Sequence, residues 1–85
     1  MTRIIVYSKN NCPFCDQAKA LLKSKNIDFK EVNIETNAAG RDVLIERSLR
    51  SVPQIFDGEL LIGGFDKLKE WVSITEVTSQ LKLFE

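Results

Sequence analysis

The sequence contains no histidine among its 85 residues. It therefore lacks the side chain that most often binds transition metals and most often acts as a general base near neutral pH. Apolar runs are short: stretches such as residues 4–6 and 60–62 fall far below the roughly 20 residues of a membrane-spanning helix. Nothing after Met1 has the apolar core and cleavage site of a signal peptide. We therefore expect a cytoplasmic protein without a membrane partner.

The chain has no excess of either charge, with 12 basic and 12 acidic side chains. Domains that bind nucleic acid usually present a basic surface, so nucleic acid is not an expected partner. Hydrophobic residues make up 44% of the sequence, which is enough for a packed core. Because no linker, repeat or low-complexity segment interrupts the chain, residues 1–85 are expected to form a single domain.

Cysteine is scarce: the two cysteines, Cys12 and Cys15, form one C-x-x-C motif. A disulfide-stabilised secreted domain would carry more cysteines, spread along the chain. A closed zinc site needs four ligands, and one chain with two sulfurs and no imidazole does not supply them. Two interpretations remain. The pair is either a redox-active dithiol or half of a metal or cluster site shared between two chains.

Residue patterns predict seven secondary-structure elements, with strands rich in β-branched residues and helices with apolar residues at helical spacing. Strands are predicted at 3–8, 28–34, 53–56 and 60–62. Helices are predicted at 13–25, at 37–48 and from about residue 65. The second helix is expected to bury Ala39, Val43 and Leu44. The tail from Ser73 carries signals of both helix and strand.

The element order β-α-β-α-β-β-α defines the expected topology. A β-α-β start implies two parallel strands joined by a right-handed crossover. Asp57-Gly58 predicts a hairpin, which makes the last two strands antiparallel. The sequence therefore predicts an α/β fold with a four-stranded mixed sheet and helices on both faces.

The C-x-x-C motif falls where the first strand meets the first helix, and Pro13 suits the first turn of that helix. The Cys12 sulfur is then close to unpaired N–H groups and to the positive end of the helix dipole. Such positions lower a cysteine pKa from about 8.5 to between ~3.5 and 7.5. We therefore predict Cys12 as the attacking thiolate, and Cys15, one turn further and more buried, as the resolving thiol.

Four segments together resemble the glutaredoxin family. They are Lys9, Cys12-Pro13-Phe14-Cys15, Arg50-Ser51-Val52-Pro53-Gln54-Ile55-Phe56 and Ile62-Gly63-Gly64-Phe65-Asp66. Their order and spacing are similar to those of the family over nearly the whole chain. The resemblance implies a thioredoxin fold and a glutathione-dependent thiol–disulfide oxidoreductase, with glutathione as co-substrate and no metal.

The resemblance also implies roles for individual residues. Cys12 attacks a protein disulfide or a glutathionylated protein, and Cys15 resolves the mixed disulfide. Pro53 is expected in the cis form facing the dithiol, since cis bonds occur almost only before proline. The Val52 backbone is expected to pair with the cysteine of glutathione as an added strand would.

The two ends of glutathione have separate expected sites. The turn formed by Gly64, Phe65 and Asp66 holds the γ-glutamyl end, where a helix N-terminus meets the carboxylate and Asp66 meets the ammonium. Lys9, with Arg50 or Arg41, meets the glycine carboxylate. The remaining implied glutathione-binding residues are Phe14 and Ser51.

Three residues depart from the family pattern. Phe14 stands where tyrosine is common, which keeps an aromatic wall without its hydroxyl, and Ser51 stands where threonine is usual. Lys67 follows Asp66 where an acidic residue is frequent, which changes the charge beside the γ-glutamyl site.

Two alternative functions remain open on the sequence. Some glutaredoxins carry a 2Fe–2S cluster between two chains, although the members that do so usually have a smaller residue in place of Pro13. A short redoxin reduced by thioredoxin reductase is the other alternative. Without a cluster we expect a monomer, acting on disulfide or glutathionylated proteins and suited to supply electrons to ribonucleotide reductase.

Overall fold

The computed structural model describes residues 3–83, with side chains described for residues 3–74. Its elements are β1 (Ile4–Ser8), α1 (Pro13–Ser24), β2 (Phe29–Asn33), α2 (Ala38–Glu46), β3 (Gln54–Asp57), β4 (Leu60–Gly63) and α3 (Phe65–Leu83). The predicted order is confirmed. The tail that the sequence left open from Ser73 continues α3 as helix to Leu83.

The four strands form one mixed sheet in the order β2-β1-β3-β4. β1 pairs in parallel with β2, while β3 is antiparallel to both β1 and β4. The predicted hairpin joins β3 to β4, and Gly58 adopts a φ of 63° in its turn, a conformation that glycine adopts without steric cost. This arrangement confirms the thioredoxin fold.

The sheet separates two hydrophobic cores, because successive side chains of a strand point to opposite faces. Val6 belongs to the core beneath α1 and α3, where it packs with buried Leu22 and Leu68. Tyr7 belongs to the core beneath α2, with Leu44 and Phe56. The rings of Tyr7 and Phe56 meet edge to face, with centroids 5.4 Å apart. Helices therefore cover both faces, as predicted.

One prediction for α2 was wrong. Ala39 is exposed, and the helix instead buries Gly40 and Leu44 with Val43 half-buried. Residues 40, 43 and 44 lie on one helix face, so the buried stripe begins one residue later than expected. Gly40 is needed there because a Cβ atom at this position would overlap Val32 Cγ1 on β2.

Helices α1 and α2 end in the same six-residue hydrogen-bonded turn, in which a left-handed residue follows the helix. After α1, Asn26 has a φ of 57° and Ile27 N–H donates to the Leu22 carbonyl at 3.0 Å. After α2, Ser48 has a φ of 59° and Leu49 N–H donates to the Leu44 carbonyl at 2.8 Å. Asparagine tolerates this conformation well, whereas serine does so poorly.

Ser48→Gly is expected to stabilise the protein by about 1 kcal/mol, because glycine removes the cost of the left-handed conformation. Urea unfolding at neutral pH measures the change as a higher midpoint with an unchanged slope. Ser73→Gly is the matched control: Ser73 lies within α3, so glycine there lowers stability by about 0.5 kcal/mol. A lower midpoint for Ser48→Gly would contradict the expected result.

Candidate active site

The junction of β1 and α1 places the dithiol at the start of a helix. Asn11 adopts a φ of 56° and turns the chain, and Cys12 follows as the extended N-cap residue. The Cys15 backbone N–H donates a hydrogen bond to Cys12 Sγ at 3.2 Å. One of the unpaired N–H groups of α1 is thus satisfied by the sulfur itself, a contact that strengthens when the sulfur carries negative charge.

The two cysteines form a disulfide, with Cα atoms 5.2 Å apart. Cys15 is only 1% exposed and Cys12 is 7% exposed, so Cys15 is the more buried sulfur, as predicted. Pro13 and Phe14 between them are exposed. An incoming thiol or disulfide therefore reaches the pair from the side of Cys12.

The loop before β3 faces the dithiol. The Val52–Pro53 peptide bond is cis, as the resemblance implied. Cys12 Sγ lies 3.9 Å from the Val52 carbonyl oxygen. The buried Gln54 side chain donates to the Ser51 carbonyl at 3.0 Å and to Ser51 Oγ at 3.3 Å. These bonds fix the loop that presents Val52, a positioning role of Gln54 that the sequence did not reveal.

A small cavity of about 220 Å³ lies on one side of this loop. Its lining residues are Phe14, Ser51, Val52, Pro53, Gly64, Phe65 and Asp66. The Phe14 and Phe65 rings form one wall, with centroids 6.2 Å apart. α3 begins at Phe65, so its first N–H groups have no partner within the helix. The cavity thus joins an aromatic wall to a helix N-terminus.

Charged side chains at the start of α3 pair along the helix. Asp66 Oδ1 lies 3.6 Å from Lys69 Nζ, and the Asp66 side chain is 92% exposed. Lys67 Nζ lies 3.6 Å from Glu70 Oε2. The unusual lysine after Asp66 thus has its own acidic partner one turn along the helix.

A larger cavity of about 640 Å³ lies on the other side of the same loop. Ser51 and Val52 line both cavities. The larger one is bordered by the cationic side chains Lys9, Arg41 and Arg50. Its apolar lining residues are Ile34, Leu44, Ile45, Leu49 and Val52.

Every residue expected to contact glutathione lines one of the two cavities. Lys9, Arg50 and the alternative Arg41 border the larger one, and the other seven line the smaller one. Their role in binding glutathione stays a prediction. The apolar part of the larger cavity was not predicted from the sequence. Ile45 could have indicated it, because this apolar residue of α2 lies outside the predicted buried stripe.

A polar cluster links α1 to the sheet. The buried Ser8 hydroxyl donates to Glu31 Oε2 at 2.7 Å, and Lys19 Nζ donates to the same oxygen at 2.8 Å. The hydrogen bond from Lys19, followed by that from Ser8, lowers the pKa of Glu31 below 4.5. The hydrogen bond to Glu31 likewise raises the pKa of Lys19 above 10.5.

Glu31→Gln is expected to lower stability at pH 7 by about 0.5 kcal/mol, since solvent screens a pair in which the glutamate side chain is 39% exposed. The folded pKa of Glu31 is lowered, so its contribution is present above pH 4.5 and is lost as the pH falls through the folded value. Urea midpoints of both proteins at pH 7 and at pH 2.5 measure this. A difference that stays constant down to pH 2.5 would contradict the assignment.

The described part of the chain contains no group of three or more His, Cys, Asp or Glu side chains able to hold a metal ion. Over that same part, no helix combines the length and apolar character required to cross a membrane.

Known proteins are similar to this chain in both sequence and fold. The sequence model of the Glutaredoxin family matches residues 4–61. Glutaredoxin 3 of Escherichia coli strain K12 is 49% identical over 69 residues, which cover 80% of this chain and 83% of that protein. The solution structure of glutaredoxin from Brucella melitensis has a TM-score of 0.72 at 36% identity, covering 100% of this chain and 94% of that one. The buckwheat glutaredoxin–glutathione complex has a TM-score of 0.74 at 24% identity, covering 94% of this chain and 76% of that one, which is a likeness of fold.

Proposed function

The chain belongs to the glutaredoxin family and is a glutathione-dependent thiol–disulfide oxidoreductase, and on that premise we propose that Cys12 is its nucleophile and Cys15 its resolving thiol. The observation that carries this assignment is the position of Cys12 Sγ. It accepts the Cys15 N–H at 3.2 Å and lies 3.9 Å from the Val52 carbonyl oxygen. The same sulfur therefore both caps the helix and lies beside the loop where a substrate backbone would pair.

The proposed cycle begins with the reduced dithiol. The Cys12 thiolate attacks one sulfur of a substrate disulfide, that S–S bond breaks, and the other substrate sulfur leaves as a thiolate. The Cys15 thiolate then attacks the Cys12 sulfur and releases the second substrate thiolate. Two electrons have passed to the substrate, and the Cys12–Cys15 disulfide is the form that the structure contains.

Glutathione returns the two electrons. A glutathione thiolate attacks the Cys12 sulfur, which yields a Cys12–glutathione disulfide and frees Cys15. A second glutathione attacks the sulfur of the bound glutathione, so glutathione disulfide leaves and Cys12 is again a thiolate. The Cys15 N–H is already aimed at Cys12 Sγ and stabilises the charge on that sulfur when it leaves.

Glutathione is proposed to lie across both cavities, with its cysteine backbone paired to Val52. The γ-glutamyl end would occupy the small cavity, where the N-terminus of α3 suits its carboxylate and Asp66 suits its ammonium. The glycine carboxylate would lie at the entrance of the larger cavity, near Lys9 and Arg50. Opposite charges at the two ends match a zwitterionic tripeptide.

The substrates are proposed to be disulfide-bonded and glutathionylated proteins, including ribonucleotide reductase as an electron acceptor. The proposed setting is the cytoplasm, because the reaction depends on a reducing glutathione pool. The protein is proposed to act there as a monomer.

A coupled assay tests the proposal, with glutathione, glutathione reductase, NADPH and the mixed disulfide of glutathione and mercaptoethanol. NADPH consumption that requires both the protein and glutathione is the expected result. Turnover with thioredoxin reductase in place of glutathione, and none with glutathione, would assign a different electron donor. Visible absorbance of the freshly purified protein tests the cluster-carrier alternative, which no contact among the described residues favours.

A further inference from the structure

The two cavities beside the active-site loop differ in size. The smaller measures about 220 Å³ and the larger about 640 Å³. The larger volume lies within the range of roughly 300–1,000 Å³ that is typical of complete ligand sites. Glycine, the smallest residue, would fill only its entrance beside Lys9 and Arg50. Most of the larger cavity is therefore left over when glutathione is bound.

The border of this cavity is cationic. Lys9, Arg41 and Arg50 line it, and none of the described residues that line it is acidic. Within the described residues, none of these three side chains has an acidic group at ion-pair distance. Three cations around one cavity, without acidic partners in the part of the chain that the structure describes, are a local excess in a chain whose net charge is zero. The charges are complementary to carboxylates on an incoming molecule.

The floor of the cavity is apolar. Leu44 is buried at its base, while Ile45 on the same turn of α2 is 64% exposed. An aliphatic side chain placed here would bury Ile45 further and remove apolar surface from water. The cavity therefore suits a ligand with both acidic and aliphatic side chains.

We propose that the larger cavity, called the groove below, binds the segment that follows the attacked cysteine in disulfide-bonded protein substrates. The groove is lined by α2 and the loop that follows it, and it selects acidic and aliphatic side chains in that segment. The inference rests on the proposed function. Pairing with Val52 sets the direction: glutathione placed with its N-terminal side at Asp66 has its C-terminal side at Lys9. A peptide held in the same direction sends the residues after its cysteine into the groove.

The groove acts in the step in which Cys12 attacks a protein sulfur. The Cys12–peptide disulfide forms, the substrate disulfide breaks, and the second peptide leaves as a thiolate. Cys15 then attacks Cys12 and releases the first peptide as its thiolate. Because the bound peptide is covalently attached only between these two steps, favourable contacts in the groove raise the rate of attack and the stability of the mixed disulfide.

The test uses symmetric disulfide dimers of short peptides with one cysteine. In the first peptide, alternating glutamate and leucine residues follow the cysteine. In the second, lysine replaces glutamate, and in the third, the glutamate and leucine residues precede the cysteine. For each peptide, kcat/KM is divided by the value for the glutathione–mercaptoethanol disulfide, which reports the basal reaction. We expect the first peptide to exceed the second and the third by about fivefold or more, which corresponds to a difference of about 1 kcal/mol.

Two variants connect this preference to the groove. Arg41→Glu is expected to reverse the preference between the glutamate and lysine peptides, which a merely structural effect would not do. Ile45→Ser is expected to lower the ratio for the first peptide about threefold, in line with loss of part of a buried aliphatic contact. Ile74→Ser is the matched control, because Ile74 is a helical isoleucine of similar exposure, 67%, outside the cavity lining, and it should leave the ratio unchanged.

The failures are distinguishable. If the small mixed disulfide is not reduced at all, the proposed function is wrong, and this inference is wrong with it. If it is reduced normally but the three peptides have equal ratios, only the groove assignment is overturned. Analytical sedimentation of the wild type and of Ile45→Ser tests whether a second copy of the chain occupies the groove instead. A dimer that Ile45→Ser dissociates, without a change in the peptide ratios, would make the groove an interface between two copies and overturn the proposal.

Discussion

Replacement of Cys12 by serine is expected to reduce glutathione-dependent activity by ~10³-fold or more, to the level of the uncatalysed reaction. A serine hydroxyl is scarcely ionised at neutral pH and forms no disulfide, so neither the attack nor the mixed disulfide remains. The helix cap survives the change, because a serine oxygen also accepts from the N–H groups at the start of a helix. Loss of activity with normal unfolding behaviour would therefore report chemistry and not misfolding.

Cys15→Ser is the matched comparison in the same motif. It is expected to keep part of the activity on the glutathione–mercaptoethanol disulfide, since a second glutathione can resolve the Cys12–glutathione intermediate without Cys15. Activity on the symmetric peptide disulfides should fall much further. The coupled NADPH assay measures both substrates. Equal loss in both variants on the small substrate, or activity in Cys12→Ser, would contradict the assigned roles.

Asp66→Asn is expected to raise the KM for glutathione by about fivefold to tenfold while leaving kcat nearly unchanged. The carboxylate is predicted to bind the γ-glutamyl ammonium, and a charge-assisted hydrogen bond contributes about 1.5–3 kcal/mol. We expect a smaller effect because the side chain is 92% exposed, which admits solvent screening. Asparagine preserves the shape and the position at the start of α3, so the change isolates the charge.

Glu70→Gln provides the control for Asp66→Asn. Glu70 lies one turn further along α3 and pairs with Lys67, outside the lining of either cavity. It should leave the KM for glutathione unchanged. If Asp66→Asn also leaves that KM unchanged, the γ-glutamyl end binds elsewhere. The proposed charge match to glutathione would then rest on the cations near the glycine carboxylate alone.

Local signals predicted most of the fold. The β-branched run of β1, the proline at the start of α1 and the Asp57-Gly58 turn are each determined by neighbouring residues, and each was identified correctly. The buried face of α2 was not. Gly40 faces the sheet in close approach to Val32, and that approach depends on strand β2, which lies earlier in the chain and ends at Asn33. Local periodicity does not contain this information.

In the candidate site, too, the features that depend on neighbouring residues were predicted and those that depend on distant residues were not. Cys12 and Cys15 could be assigned from one motif at a helix start, because the relevant chemistry is local. The larger cavity could not, since its lining comes from the residues that follow β1 and β2, from α2 and from the loop before β3, which meet only in the folded chain. The hydrogen bonds from Gln54 to Ser51 also could not be predicted from the sequence, because a glutamine side chain in a strand can bond to many different groups.

The position of Cys12 as N-cap of α1 couples electron transfer to folding. In the disulfide the capping sulfur is neutral, whereas in the reduced protein it is the predicted attacking thiolate, at the positive end of the helix. The anion makes the stronger cap, so reduction adds to the stability of α1 an increment that the oxidised chain lacks. Folding and reduction form a closed thermodynamic cycle. The extra folding stability of the reduced protein therefore equals the amount by which folding favours reduction of the disulfide, compared with reduction in the unfolded chain. A substitution that weakens this helix start would therefore change how readily the protein gives up electrons, even if it touched neither sulfur.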